Sequence, residues 1–259
     1  FPQEIDTFVE PFVGGGSVFM NVQANAYYLN DIDPYVIKLH KHLSKCSDNS
    51  DKLFALVDKM VCKYGLSRSY KEDVIPYELK QTHKKTYFAR FNKAAYVKMR
   101  DDFNKSSQKD MTLLYLLLIY GFNRMLRFNK NGDFNLPVGN VDFNANVVTT
   151  LNEYFEQVKT KQPAWYNKDY KSFIKGLKLS ERDFIYLDPP YLITFSEYNK
   201  LWNEKNEKEL LVLLDKLNER GFRFAISNVT HYKGRENTIF TSWCSRYKIH
   251  PITSNYISY

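Results

Sequence analysis

Residues 188–191, Asp-Pro-Pro-Tyr, have the groups needed to hold a flat molecule that carries an amine. The prolines have no N–H and a restricted backbone, so their carbonyls are held outward as acceptors. The Asp188 carboxylate is a second acceptor, and Tyr191 adds a flat face. We predict a site for a planar base that carries an amine. If these acceptors bind both amine hydrogens, electron density on the amine nitrogen shifts towards an incoming methyl group, and the transfer needs no covalent nucleophile. The alternative is a proline-rich turn that ends a strand.

A glycine-rich turn, Gly14-Gly15-Gly16, follows an alternating apolar run at residues 5–10. Because glycine has no side chain, this turn predicts close approach of the backbone to a ligand. Asp31 ends the next apolar run, 17 residues after Gly14. In doubly wound sheets an acid at this point accepts hydrogen bonds from a ribose diol, so the pair indicates a nucleoside cofactor. The alternative is an ordinary tight turn and a surface aspartate.

The net charge of +8 is concentrated in one part of the chain. Residues 59–109 contain 13 Lys and Arg against 5 Asp and Glu, an excess equal to that of the whole chain. A concentrated basic segment suits a surface that neutralises nucleic-acid phosphates. A set of solvated helix faces is the alternative interpretation.

The composition indicates a packed cytosolic protein. Hydrophobic residues make up 44% of 259 residues, enough for one α/β domain or a domain with a sizeable insertion. The three widely spaced cysteines, Cys46, Cys62 and Cys244, favour a reducing compartment over a disulfide framework or zinc site. The longest apolar run, residues 113–119, is too short to cross a bilayer, and no secretory leader is visible at Phe1.

The elements that must position these residues alternate between strands and helices. Apolar runs at 5–10, 26–29, 184–187 and 222–227 predict strands, with a last strand at 247–252. Periodic segments at 34–43, 210–217 and 238–244 predict helices. We expect an α/β fold with an open, mainly parallel sheet formed by residues 1–50 and 146–259. Residues 51–145 are expected to form an inserted, mostly helical domain that ends in a hairpin at Asn131-Gly132.

The segment Glu10-Pro11-Phe12-Val13-Gly14-Gly15-Gly16, together with residues 188–191, resembles the Dam-type family of adenine-N6 DNA methyltransferases. The order of cofactor motif, recognition domain and catalytic motif matches the family's alpha group. Residues 121–139 resemble the family's recognition hairpin in type and spacing, Ser227-Asn228 fits as well, and residues 191–214 resemble the phage branch. The resemblance implies a Rossmann-like methyltransferase sheet with an inserted target-recognition domain, and S-adenosyl-L-methionine as cofactor.

The resemblance also implies roles for particular residues. The cofactor-binding set comprises Glu10, Phe12, Gly14, Gly16, Asp31, Asp169 and Tyr170. Within it, Asp31 would hold the ribose, and Asp169-Tyr170 resembles an Asp-Phe pair that contacts the cofactor's adenine. The catalytic set, which would hold an adenine flipped out of the duplex, comprises Asp188, Pro189 and Tyr191.

The DNA-binding set that the resemblance implies comprises Phe122, Asn123, Met125, Arg127, Asn135 and Pro137. Phe122 would insert into the base stack, Asn123 would fill the vacated space, and Met125 and Arg127 would read base edges in the major groove. Relatives with this hairpin recognise sites that contain GAT, often GATC. By residue type alone, Phe122 and Met125 could instead be core, and Arg127 could be a phosphate contact.

The chain departs from the family pattern at both ends and beside the hairpin. No Gly-Gly-Lys-like or Gly-Asn-Lys-like segment precedes Phe1, and residues 255–259 resemble the approach to a further strand, so we expect a fragment. Asn140-Val141-Asp142 stands where phage relatives have basic residues that help to read the site.

Other functions are compatible with parts of the sequence. An N4-cytosine methyltransferase needs the same amine pocket, although Asp188 in place of Ser favours adenine. A truncated, non-catalytic DNA-binding protein would keep only the hairpin, and a protein or RNA methyltransferase would leave the basic insertion without a purpose. The expected partner is double-stranded DNA, with a cognate restriction endonuclease as a further candidate, in the cytoplasm of a bacterial or phage-infected cell; no membrane partner is expected.

Overall fold

Five short strands form one parallel sheet in the computed structural model, which describes residues 1–72, 74–194 and 202–252. The strands are β1 (Thr7–Glu10), β2 (Ala26–Asn30), β3 (Ala164–Tyr166), β4 (Phe184–Leu187) and β5 (Arg223–Ile226). Their spatial order is β3-β2-β1-β4-β5, and Val9 at the centre lies opposite Tyr28 on one side and Ile185 on the other. The chain runs outward from β1 through β2 to β3 and then crosses to β4. The edge between β1 and β4 is therefore a topological switch point, where open α/β sheets bind ligands.

Ten helices surround the sheet in the described ranges. They are α1 (Ser17–Asn21), α2 (Pro34–Cys46), α3 (Ser50–Tyr64), α4 (Tyr77–Thr82), α5 (Tyr87–Lys105), α6 (Met111–Tyr120), α7 (Ala145–Lys161), α8 (Tyr170–Lys175), α9 (Glu204–Glu219) and α10 (Thr238–Cys244). Local chemistry sets several of their starts. The Asp33 side chain accepts from Tyr35 N and so caps α2, with Pro34 in the first turn, and Asn203 forms a capping box with Asn206 at α9.

The hairpin expected at Asn131-Gly132 is present between α6 and α7. Antiparallel bridges pair Gly121 with Val138 and Phe128 with Phe134. Its turn is longer than a two-residue turn, because Asn129 N donates to Asp133 O at 2.8 Å, with Gly132 at φ +84°. At its base only glycine fits: a Cβ on Gly121 would lie 2.4 Å from Leu136 Cδ2, and one on Gly139 would lie 2.7 Å from Gly121 O.

One hydrophobic core joins the sheet to the central helices. Its buried members include Phe8 and Leu29 from the sheet, Leu114 from α6, and Phe103 and Phe134 from α5 and the hairpin. Helix α6 is buried on all sides because nearly all its residues are apolar. The division into a sheet domain and an inserted 51–145 domain stays a prediction, and these two parts share their core.

The expected strands at β1, β2, β4 and β5 and the helices at α2, α9 and α10 are confirmed. The strand expected over 247–252 is wrong, since residues 247–252 form no strand. Tyr247 instead packs its ring on Trp243, 4.5 Å between centroids, and Pro251 has no N–H for a sheet. Strand β3 and helices α7 and α8 were not predicted. Residues 255–259, and 195–201 of the phage-like stretch, lie outside the described residues.

No helix in the described part of the chain is long and apolar enough to span a membrane.

Candidate active site

Three acids lie together at the carboxyl edge of the sheet. Glu10 ends β1, Asp31 follows β2, and Asp188 follows β4, so the order β2-β1-β4 places Glu10 between the other two. Both neighbours act electrostatically on the Glu10 carboxyl. The structure thus combines residues that the sequence assigned to two functions, the cofactor and the target base. Asp31 and Asp188 therefore lie on the two sides of Glu10 at this edge.

The glycine turn after β1 is fixed in a shape that needs glycine. Gly14 and Gly16 have φ of +47° and +79°, and a Cβ on Gly16 would lie 2.4 Å from the Phe19 ring. Gly14 N donates to Asp31 Oδ2 at 3.0 Å, so the turn and the acid are held together. A Cβ on Gly14 or Gly15 would meet nothing within 4 Å, so this backbone is open to a ligand.

The His40 side chain, on α2, contacts the same glycine turn. The sequence did not predict this role. Its ring stacks on Trp165 at 4.4 Å, and Nε2 lies 2.9 Å from Gly14 O. Burial lowers the pKa of His40 to about 4, so the ring is neutral near pH 7. A carbonyl only accepts, so Nε2 carries the proton and Nδ1 accepts from the Tyr154 hydroxyl at 2.9 Å.

Asn30 is a second positioning residue that the sequence did not reveal. It is fully buried at the end of β2. Its Nδ2 donates to Pro11 O at 3.0 Å and to Lys168 O at 2.9 Å, and its Oδ1 accepts from Lys168 N at 2.9 Å. One side chain therefore ties together the segments that follow β1, β2 and β3. Its partners are distant in sequence, so spacing alone gave no signal.

Aromatic rings form one wall of the site. Phe12 lies 5.2 Å from Tyr170 and 6.0 Å from Trp202, measured between ring centroids. Asp169 caps α8 by accepting at Oδ1 from Lys171 N and Ser172 N, and this fixes the start of the helix that carries Tyr170. Tyr170 thus lies beside Phe12, and contact of Asp169-Tyr170 with an adenine ring stays a prediction.

Trp202 is held by a buried carboxylate that the sequence did not single out. Glu207 Oε2 accepts from Trp202 Nε1 at 2.7 Å, and Oε1 accepts from Asn228 and Asn237, each at 2.9 Å. Three neutral donors thus satisfy an acid that is fully buried. Asn228, expected from the Ser227-Asn228 motif, is positioned here by Glu207. These hydrogen bonds fix the position of Trp202 in the aromatic wall.

Glu10 differs from Glu207 because one of its oxygens has no partner. The residue is 1% exposed, and Oε2 has no hydrogen-bond partner within the described ranges. Burial, more than the acids Asp188 and Asp31, raises the pKa of Glu10 to about 9, while the Phe19 backbone N–H opposes this shift. Glu10 is therefore protonated near neutral pH in this structure. An orphaned carboxyl oxygen inside a ligand site fits a cationic or donor group of a ligand.

The 188–191 motif forms an acceptor beside a ring. The Tyr191 hydroxyl donates to Asp188 Oδ1 at 2.6 Å, which fixes the two side chains relative to one another. Burial raises the pKa of Asp188, and the bond from Tyr191 lowers it. Pro189 is buried against the end of β4. Behind it, the Tyr186 hydroxyl and Ser227 Oγ lie 2.6 Å apart and link β4 to β5.

The predicted DNA-binding residues form a second group on the hairpin. Phe122 is 43% exposed, so it is not core, whereas Met125 packs partly against the core. Asn123 and Arg124 follow Phe122 with φ of +53° and +52°, a left-handed conformation that is costly for side chains other than glycine. Strain beside an exposed aromatic residue is typical of functional segments. The stacked rings of Tyr35 and Phe128, 4.5 Å apart, join this hairpin to the segment after Asp31.

Arg127 is braced by the opposite side of the hairpin. Its Nε donates to Asn135 Oδ1 at 3.0 Å and its Nη2 to Asn135 O at 2.6 Å. Pro137 O accepts from Phe122 N at 2.9 Å and so fixes the exposed ring's backbone. Arg124, which was not predicted, is exposed beside Phe122, and its guanidinium has no hydrogen bond to another described residue. The two arginines are therefore suited to different contacts.

Beside the hairpin, the segment 140–142 is structural. Asn140 Nδ2 donates to Lys85 O at 2.7 Å, which holds the start of α5. Asp142 is buried and accepts from both Ser69 N and Ser69 Oγ at 2.7 Å. These residues connect the hairpin to the basic segment in place of the basic residues expected from phage relatives.

The site suits a nucleoside that carries positive charge. It offers three acids, the open glycine backbone and an aromatic wall. Together these groups fit three parts of S-adenosyl-L-methionine, namely the ribose, the cationic methionine end and the base. The described residues contain no group of three or more His, Cys, Asp or Glu suited to a metal ion.

Comparison with known proteins finds relatives that are named as methyltransferases or methylases. Type II methyltransferase M.FokI of Planomicrobium okeanokoites is 33% identical over 99% of this chain and 37% of its own length. Modification methylase StsI of Streptococcus sanguinis is 31% identical over 94% of this chain and 34% of its own length. DNA adenine methylase of Escherichia coli (strain K12) is 24% identical over 95% of this chain and 78% of its own length.

The chain thus spans about a third of the length of the first two relatives. The profile of D12 class N6 adenine-specific DNA methyltransferases matches residues 1–256. Together with the parallel sheet, this confirms the expected Dam-type resemblance and the methyltransferase fold. The chain belongs to the D12 class N6 adenine-specific DNA methyltransferase family.

Proposed function

We propose that this chain transfers the methyl group of S-adenosyl-L-methionine to N6 of an adenine in double-stranded DNA. The observation that carries the proposal is the acid series Asp31, Glu10 and Asp188 across the β1–β4 switch point, with Tyr191 bonded to Asp188. The family and the relatives named as adenine methylases support adenine over cytosine.

The cofactor supplies an electrophilic methyl group on a cationic sulfur. Asp31, held by Gly14 N, accepts from the ribose hydroxyls, and the Gly14–Gly16 turn lets the backbone approach the methionine end. Phe12 and Tyr170 contact the cofactor's base with their ring faces. Glu10 lies between Asp31, proposed to hold the cofactor, and Asp188, proposed to hold the target base.

The target adenine is held at the 188–191 motif. A base within a duplex cannot reach a sheet edge, so it has to be extruded, at a cost of about a few kcal/mol. Asp188 and the Pro189 carbonyl accept the two amine hydrogens, and Tyr191 stacks on the base. These contacts would keep the nitrogen lone pair directed at the methyl group, so that the N–C bond forms as the cofactor's S–C bond breaks, and the methylated amine would then lose one proton through Asp188 to solvent. Electrostatic positioning of this kind needs no covalent intermediate.

The hairpin compensates for extrusion and selects the site. Exposed Phe122 inserts into the stack, Asn123 occupies the vacated space, and stacking on an aromatic ring recovers about 1–3 kcal/mol. Asn135 accepts from Nε and Nη2 of Arg127, and the Nη1 edge of the guanidinium would make a bidentate contact to guanine. Met125 contacts a base edge beside it. The proposed site contains GAT, with GATC as the first candidate.

Double-stranded DNA is the proposed partner, and the basic segment 59–109 contacts its phosphates. A cognate restriction endonuclease is a further proposed partner, because two relatives are named as a type II methyltransferase and a modification methylase. The proposed place of action is the cytoplasm of a bacterial or phage-infected cell.

Product analysis tests the proposal. The chain is incubated with labelled S-adenosylmethionine and unmethylated DNA, and the labelled nucleoside is identified by mass spectrometry. N6-methyladenine is the expected product. N4-methylcytosine would overturn the adenine assignment, and DNA binding with neither product nor cofactor binding would establish the binding-only alternative.

A further inference from the structure

Glu10 is buried at the centre of the proposed cofactor site. It is protonated there, so it carries no charge that could pair with a cation. It is 1% exposed, it ends the central strand, and its Oε2 has no partner in residues 1–72, 74–194 and 202–252. Glu207, the other fully buried glutamate described above, receives three hydrogen bonds. The contrast indicates that Glu10 lacks a partner that arrives with a ligand.

We propose that Glu10 is the counter-ion of the cofactor's cationic methionine end, and that cofactor binding releases the Glu10 proton to solvent. This inference rests on the proposed function and adds the release of one proton to cofactor binding. The balance is simple: the O–H bond of the carboxyl breaks, a buffer base takes the proton, and the carboxylate pairs with the incoming cation. No electron changes hands.

The groups that face Glu10 explain why it holds a proton before binding. From β2 the neighbour is Asp31, and from β4 the neighbours are Asp188 and the Tyr186 phenol. From α1 comes the Phe19 backbone N–H, the one favourable contact. The acids add to the cost of burial, and so the pKa of Glu10 reaches about 9.

A cation in the site reverses this balance. The cofactor carries an ammonium and a sulfonium, and either centre near Glu10 favours the ionised carboxyl, as an opposite charge within a few ångströms does. Proton release then couples affinity to pH. Between the lowered pKa of Glu10 in the complex and about pH 9, cofactor affinity is expected to rise about tenfold for each unit of increasing pH.

Calorimetry measures the released proton directly. The full chain is titrated with S-adenosylmethionine, and separately with S-adenosylhomocysteine, at about pH 7.5 in buffers of low and high ionisation enthalpy. The dependence of the binding heat on the buffer gives the number of protons released. We expect about one proton for the native chain. Release with both ligands would place Glu10 at the ammonium, and release with S-adenosylmethionine alone would place it at the sulfonium; both results support the proposal.

Two variants identify the proton's source. Glu10→Gln keeps the size and polarity of the side chain but cannot titrate, so the release is expected to disappear. Because a free α-amino group titrates near pH 8, the comparison is repeated at about pH 6, where the cofactor's amine is already protonated, so that the difference between the two chains belongs to Glu10. The matched control is Asp188→Asn, which removes the neighbouring acid and should keep the release, because burial is the larger cause of the Glu10 shift.

The outcomes separate the two proposals. Binding without proton release in the native chain overturns this inference and leaves the proposed function standing. Absence of any cofactor binding overturns the proposed function itself. If Glu10→Gln fails to fold, the pH dependence of affinity in the native chain decides: a steep rise between about pH 6 and pH 8 supports the proposal, and a flat profile contradicts it.

Discussion

At the scale of single residues, the same side-chain type has different roles according to its partners. Glu207 accepts from three neutral donors and holds Trp202 in place, whereas Glu10 has an orphaned oxygen and a raised pKa. His40 is neutral because it is buried, so it can donate to Gly14 O and accept from Tyr154. Burial therefore sets the protonation of Glu10 and His40, and hydrogen-bond donors give Glu207 its role in holding Trp202.

Replacement of Glu10 is expected to stabilise the ligand-free chain in alkaline solution. Folding raises the Glu10 pKa from 4.5 to about 9, so between these values the folded chain holds a proton that the unfolded chain has lost. The contribution of Glu10 to stability is therefore full below about pH 4.5 and is lost as the pH rises towards 9. Glu10→Gln removes this loss and should raise the free energy of unfolding at about pH 8 by about 1–3 kcal/mol.

Urea denaturation at about pH 5 and about pH 8 measures this effect. The difference between Glu10→Gln and the native chain should grow with pH. An equal difference at both pH values would show that Glu10 titrates alike in the folded and unfolded chains, contrary to its burial.

At the scale of elements, the hairpin places two arginines in different settings. Arg127→Ala should reduce discrimination between the recognised site and a site with one changed base pair by about 1–3 kcal/mol, because the braced guanidinium edge reads a base. Arg124→Ala, the matched control on the same hairpin, should weaken binding to all duplexes alike and lower the salt slope by about one. Titrations of matched and mismatched duplexes at several salt concentrations separate the two. A uniform loss for Arg127→Ala would make it a phosphate contact.

Several contiguous elements were predictable from the sequence, although β3, α7 and α8 were not, and contacts between side chains distant in sequence were not predictable. Strand β4 and the 188–191 motif that follows it give a local signal, since an apolar run ends at a polar, proline-rich turn. His40 and Asn30 act on Gly14 and Lys168, and neither contact has a local pattern. The strand expected at 247–252 was wrong: Tyr247 packs on Trp243 of α10, and Ile249 and Ile252 are exposed and belong to no strand.

At the scale of the whole molecule, the sheet and the basic central segment depend on one another. Buried residues of α3, α5 and α6 belong to the same core as β1 and β2, and Tyr35 stacks on the hairpin's Phe128. The hairpin is therefore held in a fixed relation to Asp31, as needed if an extruded base is to reach the sheet edge. The concentration of cations in residues 59–109 adds a surface for phosphates.

The shared core predicts that residues 51–145 do not fold alone. Excision exposes the faces of α3 and α6 that pack against the sheet side, and this lost burial no longer offsets the entropy of ordering the segment. The isolated segment should show no cooperative thermal transition by circular dichroism, while the full chain does. A sharp transition in the segment would establish it as an autonomous domain.

The most direct test of the central claim is single-turnover methyl transfer by Asp188→Asn, with cofactor and DNA binding measured on the same preparations. Asparagine keeps the shape of Asp188 but loses the carboxylate that accepts the adenine amine. We predict that transfer slows by about 10²–10³-fold, with both dissociation constants within about threefold of the native values. Transfer at the native rate would contradict the assignment of Asp188 and, with it, the account of how this sheet edge performs the reaction.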